Sequence, residues 1–138
     1  MDSTFVVGID VGGQTSKLGV VDARGAVLAQ TVIRTDTYSE VEPYIAELAE
    51  AVKKIIRESG TEGKVRGIGV GAPNANYYTG TIENAPNLLW GRQRVEFAKL
   101  LSEAMDGLPV ALTNDANAAA VGEPMLSSSP SGFKRRSK

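Results

Sequence analysis

A β-branched run, Thr4 to Ile9, stops at Asp10 and a glycine pair, and a second run, Lys17 to Val21, begins too soon for any helix to intervene. The segment Asp10-Val11-Gly12-Gly13-Gln14-Thr15 therefore joins two strands. Glycines at such a turn let backbone N–H groups approach an anion, and the Gln14 amide and Thr15 hydroxyl add donors, which together make a phosphate cradle. The spacing is not that of a Walker loop and no helix follows, which excludes both a P-loop and a Rossmann fingerprint. The same residues also suit a tight hairpin whose glycines permit positive φ. Asp10, at a strand end, can hold Mg²⁺ through water, and Lys17 can meet a phosphate charge.

Downstream, the turn Asp22-Ala23-Arg24-Gly25 separates Lys17–Val21 from Ala26–Arg34, which predicts a three-stranded antiparallel meander. Ser39 with Glu42 has the form of a capping box, and Pro43 suits a first helical turn. Val41, Tyr44, Ile45, Leu48, Ala49, Val52, Ile55 and Ile56 recur at spacings of three and four, so a helix with one apolar face runs to a stop at Gly60. Val65–Val70 predicts a fourth strand ending in a Gly71-Ala72-Pro73 loop. Asn74–Asn87 reads as a functional loop with a small hairpin turned at Thr79-Gly80. Val95–Met105 predicts a second helix, Pro109–Leu112 a fifth strand, and Ala116 to about Glu123 a third helix capped by Asn114-Asp115.

That Asn114-Asp115 pair, ending a strand and opening a helix, is a second candidate for chemistry. Phosphoryl transfer to an alcohol needs a carboxylate within hydrogen-bond reach of the hydroxyl, and Asp115 can take that proton. Asn and Asp serve equally as helix caps. Asn84 and Asn87, near Trp90, supply donors, acceptors and an apolar plate of the kind that surrounds a sugar ring, although Asn-Pro loops turn for structural reasons too.

Composition removes whole classes of function. The 138 residues are 42% hydrophobic and 22% charged, enough for one domain with a real core. There is no cysteine and no histidine, so disulfides, thiolate or imidazole metal ligands, cysteine nucleophiles and Ser-His relays are all excluded. A metal, if used, is a hard ion on oxygen ligands. A net charge of -1 gives no global attraction to nucleic acid or an anionic membrane. No apolar run approaches the roughly 20 residues that span a bilayer and no basic leader precedes strand one, so a cytoplasmic protein is expected. Pro124 breaks the third helix, and the serine-rich, basic stretch from Ser127 to Lys138 is expected to be disordered. The domain is thus expected over 1–123, with 124–138 as a tail of no assigned function.

The order of elements, βββαβαβα with a glycine turn after strand one and an acid after strand five, is the layout of the ribonuclease-H-like lobe of the actin-like ATPase fold. It implies an α/β lobe with a mixed five-stranded sheet. The segment Gly8–Gly19, then Gly69-Val-Gly-Ala-Pro73, Ala85-Pro-Asn-Leu-Leu-Trp90 and Leu112–Glu123, closely resembles ROK-family sugar kinases, glucokinases above all. The resemblance runs from about Phe5 to Glu123. It implies that Asp10, Gly12, Gly13 and Thr15 serve the phosphates of ATP and Mg²⁺, with Gln14 standing where Thr is more usual. It implies that Gly71 and Asn87 line the sugar site, that Asn114 binds sugar hydroxyls and that Asp115 is the base. The family's second glycine-rich phosphate loop, its Glu-x-Gly-His motif, its cysteine-rich zinc site and its adenosine-binding region have no counterpart in this sequence. One lobe of a hexose kinase is therefore expected, nearly inactive alone and open to self-association through surface that the second lobe would cover. Glucose is the expected sugar within a family that also phosphorylates N-acetylmannosamine, fructose and allose. The rival expectation is a sugar-binding or transcriptional-regulator fragment of the same family. Such regulators carry a DNA-binding domain ahead of the lobe, for which strand one starts too near Met1.

Overall fold

The computed structural model describes residues 4–114. The predicted third helix, Asp115 and the stretch 124–138 lie outside the described residues.

The predicted meander forms. Strands β1 (Phe5–Val11), β2 (Thr15–Asp22) and β3 (Val27–Arg34) pair antiparallel in sequence order. The β2–β3 turn is fixed by the Asp22 carboxylate, which accepts the amides of Arg24 and Ala26 at 2.9 and 3.0 Å. Gly25 supplies the positive φ of 87° that this turn requires. Both β1 and β2 are longer than their apolar runs suggest. Asp10 lies inside β1 because it is paired on both sides, to Lys17 in β2 and to Gly71 in β4.

The helix α1 spans Val41–Ser59 and buries the residues its periodicity singles out, from Tyr44 to Ile56. Gly60, at φ 72°, closes it by donating to the Arg57 carbonyl. The expected capping box does not form. The cap position is Glu40, whose side chain makes no cap bond. Pro43 then falls at the third helical position, where it has no N–H for a cap to engage.

Strand β4 (Val65–Ala72) crosses back beside β1 in parallel, and β7 (Val110–Asn114) adds in parallel to β4. The sheet order is β3-β2-β1-β4-β7. Gly71 and Ala72 are strand residues rather than the start of a loop, because β7 pairs with them through Thr113 and Asn114. Between β4 and β7 come a hairpin of β5 (Ala75–Asn76) and β6 (Thr81–Ile82), a 3-10 turn at Leu89–Gly91, and α2 (Phe97–Ala104). The hairpin matches the turn expected at Thr79-Gly80. Helix α2 starts later than expected, since Val95 bonds back to Ile82 in both directions, at 2.8 and 2.9 Å, instead of entering the helix.

One face of the sheet carries the core. Val7, Ile9, Val11, Leu18, Val20, Ile68, Val70, Ala72 and Leu112 pack with the apolar sides of α1 and α2. The opposite face is nearly bald in its middle. Gly8 pairs with Gly19 on one side and with Gly69 on the other, and Gly69 pairs with Ala111, which makes one row of tiny residues across four strands.

Candidate active site

Because β1, β4 and β7 are parallel, their C-terminal ends share one edge of the sheet. The chain runs outward through β2 and β3, then restarts on the other side of β1, so β1 and β4 flank a switch in strand order. Open α/β sheets hold ligands at such a point, beyond the carboxyl ends of the strands.

On the bald face, next to the glycine row, lies a second row: Val32, Lys17, Asp10, Gly71 and Thr113, each paired to the next. Three residues singled out by sequence, Lys17, Asp10 and Gly71, are thus cross-strand neighbours. Asp10 and Lys17 are exposed, and neither side chain bonds to another described residue. The ion pairs among the described residues lie elsewhere, at Arg24–Asp22, Arg34–Asp36 and Arg94–Glu83. Gly71 offers no side chain, so one flank of the Asp10 carboxylate stays open. A lone exposed carboxylate suits Mg²⁺ held through water and phosphate oxygens rather than in an all-protein cage. No cluster of three His, Cys, Asp or Glu side chains occurs among the described residues.

The turn from β1 to β2 is closed by Gly12 N–H donating to the Thr15 carbonyl at 2.9 Å. Its outer side is tied to the loop after β3, where Thr35 N–H donates to the Gln14 carbonyl at 2.8 Å. The amides of Gly13 and Gln14 donate to no described residue, which leaves a pair of backbone donors for an anion. Neither Gly12 nor Gly13 takes a positive φ. The reason for glycine here is space: a Cβ on Gly12 would stand 2.9 Å from the Thr15 carbonyl oxygen, and one on Gly13 would stand 2.9 Å from that of Asn87. The segment expected to line a sugar site is therefore packed directly on the segment expected to cradle phosphate.

Asn87 is displayed by a small closed loop. Ala85 N–H donates to the Gly91 carbonyl at 2.8 Å, and Leu88 N–H donates back to the Ala85 carbonyl at 3.1 Å. Ala85, Leu88 and Trp90 point into the core, which leaves Pro86, Asn87 and Leu89 exposed. Trp90 is accordingly no plate for a sugar. It is only 5% exposed and is stacked on Tyr44 and Phe97, with ring centroids at 4.7 and 5.7 Å. Asn84 is exposed at φ 56°, and its carbonyl accepts the Asn74 side-chain amide at 2.8 Å. Asn114 ends β7 opposite Ala72, at the same sheet edge. Asp115 lies outside the described residues.

Beneath the cradle is a buried polar cluster that the sequence analysis missed. Ser16 Oγ lies 2.6 Å from Thr35 Oγ1 and 2.7 Å from the Tyr44 hydroxyl, and all three residues are fully buried. They tie β2, the loop after β3 and α1 together directly behind Thr15. Burial pushes the Tyr44 phenol up to about 12, against hydrogen bonds from Ser16 and Thr35 that pull the other way. The signal was present: in β2 the inward positions alternate Ser16, Leu18, Val20, so a hydroxyl stood on the core face.

The ROK family profile matches residues 6–131. A glucokinase of Streptomyces coelicolor is 35% identical over 120 residues, which cover 86% of this chain and 35% of that one. A putative xylose repressor of Caldicellulosiruptor sp. is 30% identical over 121 residues, 86% of this chain and 30% of that one. Among solved structures, a ROK hexokinase from Thermus thermophilus superposes with TM-score 0.72 at 36% identity, covering 85% of this chain and 37% of the other. A ROK glucokinase from Streptomyces griseus, solved with glucose and AMPPNP, superposes with TM-score 0.70 at 31% identity over 88% of this chain and 36% of the other. The chain spans about a third of the length of the curated glucokinases it matches.

Proposed function

The chain belongs to the ROK family, and from that premise we propose that it supplies the phosphate-binding and catalytic-base residues of an ATP-dependent hexose kinase acting on glucose. The observation that carries this reading is the contact of Gly13 with Asn87, which leaves no space between a turn with free amide donors and a loop that displays a carboxamide. A γ-phosphoryl group on the turn and a sugar against Asn87 would be neighbours. The likeness to glucokinases, one of them solved with glucose and AMPPNP, supports the same pairing of ligands.

In this reading the Gly13 and Gln14 amides and the Thr15 hydroxyl hold phosphate oxygens, Gly12 closes the turn that presents them through its bond to the Thr15 carbonyl, Lys17 adds charge, and Asp10 holds Mg²⁺ through water. Gly71, Asn87 and Asn114 position the sugar. Asp115 takes the proton of the attacking hydroxyl, whose oxygen bonds to the γ-phosphorus while the bond to ADP breaks in line, giving hexose 6-phosphate and ADP. Mg²⁺ would neutralise charge on the phosphates. Positioning is most of the catalysis in such a transfer, so the test joins residues 1–123 to the remaining length of a related glucokinase. That chimera is expected to form glucose 6-phosphate from ATP and glucose. Asp115→Asn, which keeps the volume and a capping group, is expected to lower kcat by about 10² to 10⁴ with little change in sugar affinity. Parental turnover in the Asn variant, with Asp115→Ala losing only about 1 kcal/mol of stability, would reduce Asp115 to a helix cap.

The likeness to a xylose repressor favours one second reading, a lobe that binds sugar without transferring phosphate. The same chimera separates the two: sugar binding with no ATP-dependent product would favour the regulator.

A further inference from the structure

Two tyrosines stand in water at the tip of the β5–β6 hairpin. Tyr77 is 64% exposed and Tyr78 is 92% exposed, with their rings 5.3 Å apart and nearly perpendicular. Aromatic side chains carry the largest hydrophobic payload of any residue, and an adjacent exposed pair marks a surface that meets something. The tip is held firmly. Asn76 Oδ1 accepts the amides of Tyr78 and Thr79 at 2.9 and 3.2 Å. Gly80, at φ 70°, is bonded on one side to Asn76 and on the other to Ala98 of α2, at 2.9 and 3.0 Å. A hydroxyl relay from Thr79 through Thr81 to the Glu83 carboxylate, 2.6 and 2.8 Å, braces the second strand.

The two rings flank an open cleft of about 560 Å³ that is completed by Asn74, Ala75, Asn76, Glu83 and Asn84. Asn74 and Asn84 both line the cleft, and the Asn84 side chain and the Asn74 side-chain carbonyl bond to no described residue, which leaves an amide and two carbonyl groups for a ligand. The one charged residue among those that line it is Glu83, whose carboxylate accepts Thr81 Oγ1 at 2.8 Å and lies 4.0 Å from Arg94, so the lining itself offers no cation to a phosphate. The lining is also too polar for an apolar peptide. Aromatic faces beside uncharged amides and one carboxylate match a pyranose ring, whose C–H face stacks on an aromatic plane while its hydroxyls need donors and acceptors. The cleft also adjoins the candidate site, since Asn84 leads into the loop that displays Asn87 and β5 follows the end of β4.

We propose that Tyr77 and Tyr78, with Asn74, Glu83 and Asn84, form a saccharide-binding platform beside the phosphoryl-transfer site, taking a pyranose ring. This extends the kinase reading but does not depend on its chemistry, because binding can be measured without turnover. The ring is supplied either by a free monosaccharide or by the second unit of a disaccharide. The test is saturation-transfer NMR on the whole chain with glucose and with maltose. Transfer from tyrosine protons to sugar C–H protons is expected for both, with tighter binding of maltose assigning the platform to a disaccharide unit and equal binding to a monosaccharide. Tyr78→Ala is expected to weaken binding by roughly tenfold, whereas Tyr78→Phe, which keeps the plane, retains it. At 92% exposure Tyr78 can be replaced without disturbing the core. Asn87→Ala, altered in the transfer site alone, is expected to leave the tyrosine-borne signal intact. Absence of transfer to either sugar, or transfer that survives when Tyr77→Ala and Tyr78→Ala are combined with Asn87→Ala, overturns the platform, and neither result bears on whether the chimera phosphorylates glucose.

Discussion

At the scale of single residues, the hydroxyl cluster of Ser16, Thr35 and Tyr44 sets the protein's response to alkali. The Tyr44 phenol titrates at about 12 in the folded chain because it is buried, against about 10 when unfolded. Below pH 10 both states keep the proton and the full contribution is present. Above it the unfolded chain loses its proton first, so stability falls between pH 10 and 12, by about 2 to 3 kcal/mol from this one group. Tyr44→Phe should cost about 1 kcal/mol at pH 8 through the lost hydrogen bond, yet lack the alkaline loss. Urea titrations of the two proteins from pH 8 to pH 12 are therefore expected to converge and then cross, while parallel curves would show that the phenol is not held neutral by burial. Tyr38, whose phenol is also raised by its hydrogen bond to Glu47, is common to both and cancels.

Among the elements, α1 shows both what pattern can reveal and where it stops. Its spacing of threes and fours marks every buried position from Tyr44 to Ile56, because a helix that packs on a sheet must repeat its apolar side each turn. Its start was misread, since Ser39 and Glu42 have capping-box spacing but the backbone enters the helix one residue later, at Glu40. That position already has extended geometry, φ -117° and ψ 147°. Glu40→Ser should therefore bring a hydroxyl to the free amide of Glu42 and raise stability by about 0.5 to 1 kcal/mol, read as a higher thermal midpoint. An unchanged midpoint would mean that the loop from Thr35 to Ser39 alone fixes the helix entry. The strands fail at their ends for a related reason. Asp10, Gly71 and Asn114 look like turn residues within a short window, but each is paired to a strand distant in sequence, and register across a sheet leaves no local mark.

For the molecule as a whole, the meander and the order of the main strands and helices as far as β7 were legible, because strand and helix periods and turn chemistry are local. The juxtaposition of Gly13 with Asn87, the row that joins Lys17, Asp10 and Gly71, and the burial of Trp90 were not, because each depends on chain crossing after α1. The segment from Ser127 to Lys138 has Phe133 as its one large apolar residue. Its deletion is expected to leave the thermal midpoint unchanged, and a fall of several degrees would show that the domain extends beyond residue 123. Trp90 has a further use. It is the chain's one tryptophan, clamped between Tyr44 and Phe97 at the foot of the loop that lifts Asn87. The protein thus carries its own fluorophore three residues from the expected sugar contact, and a ligand that shifts that loop would register in its emission without any introduced label.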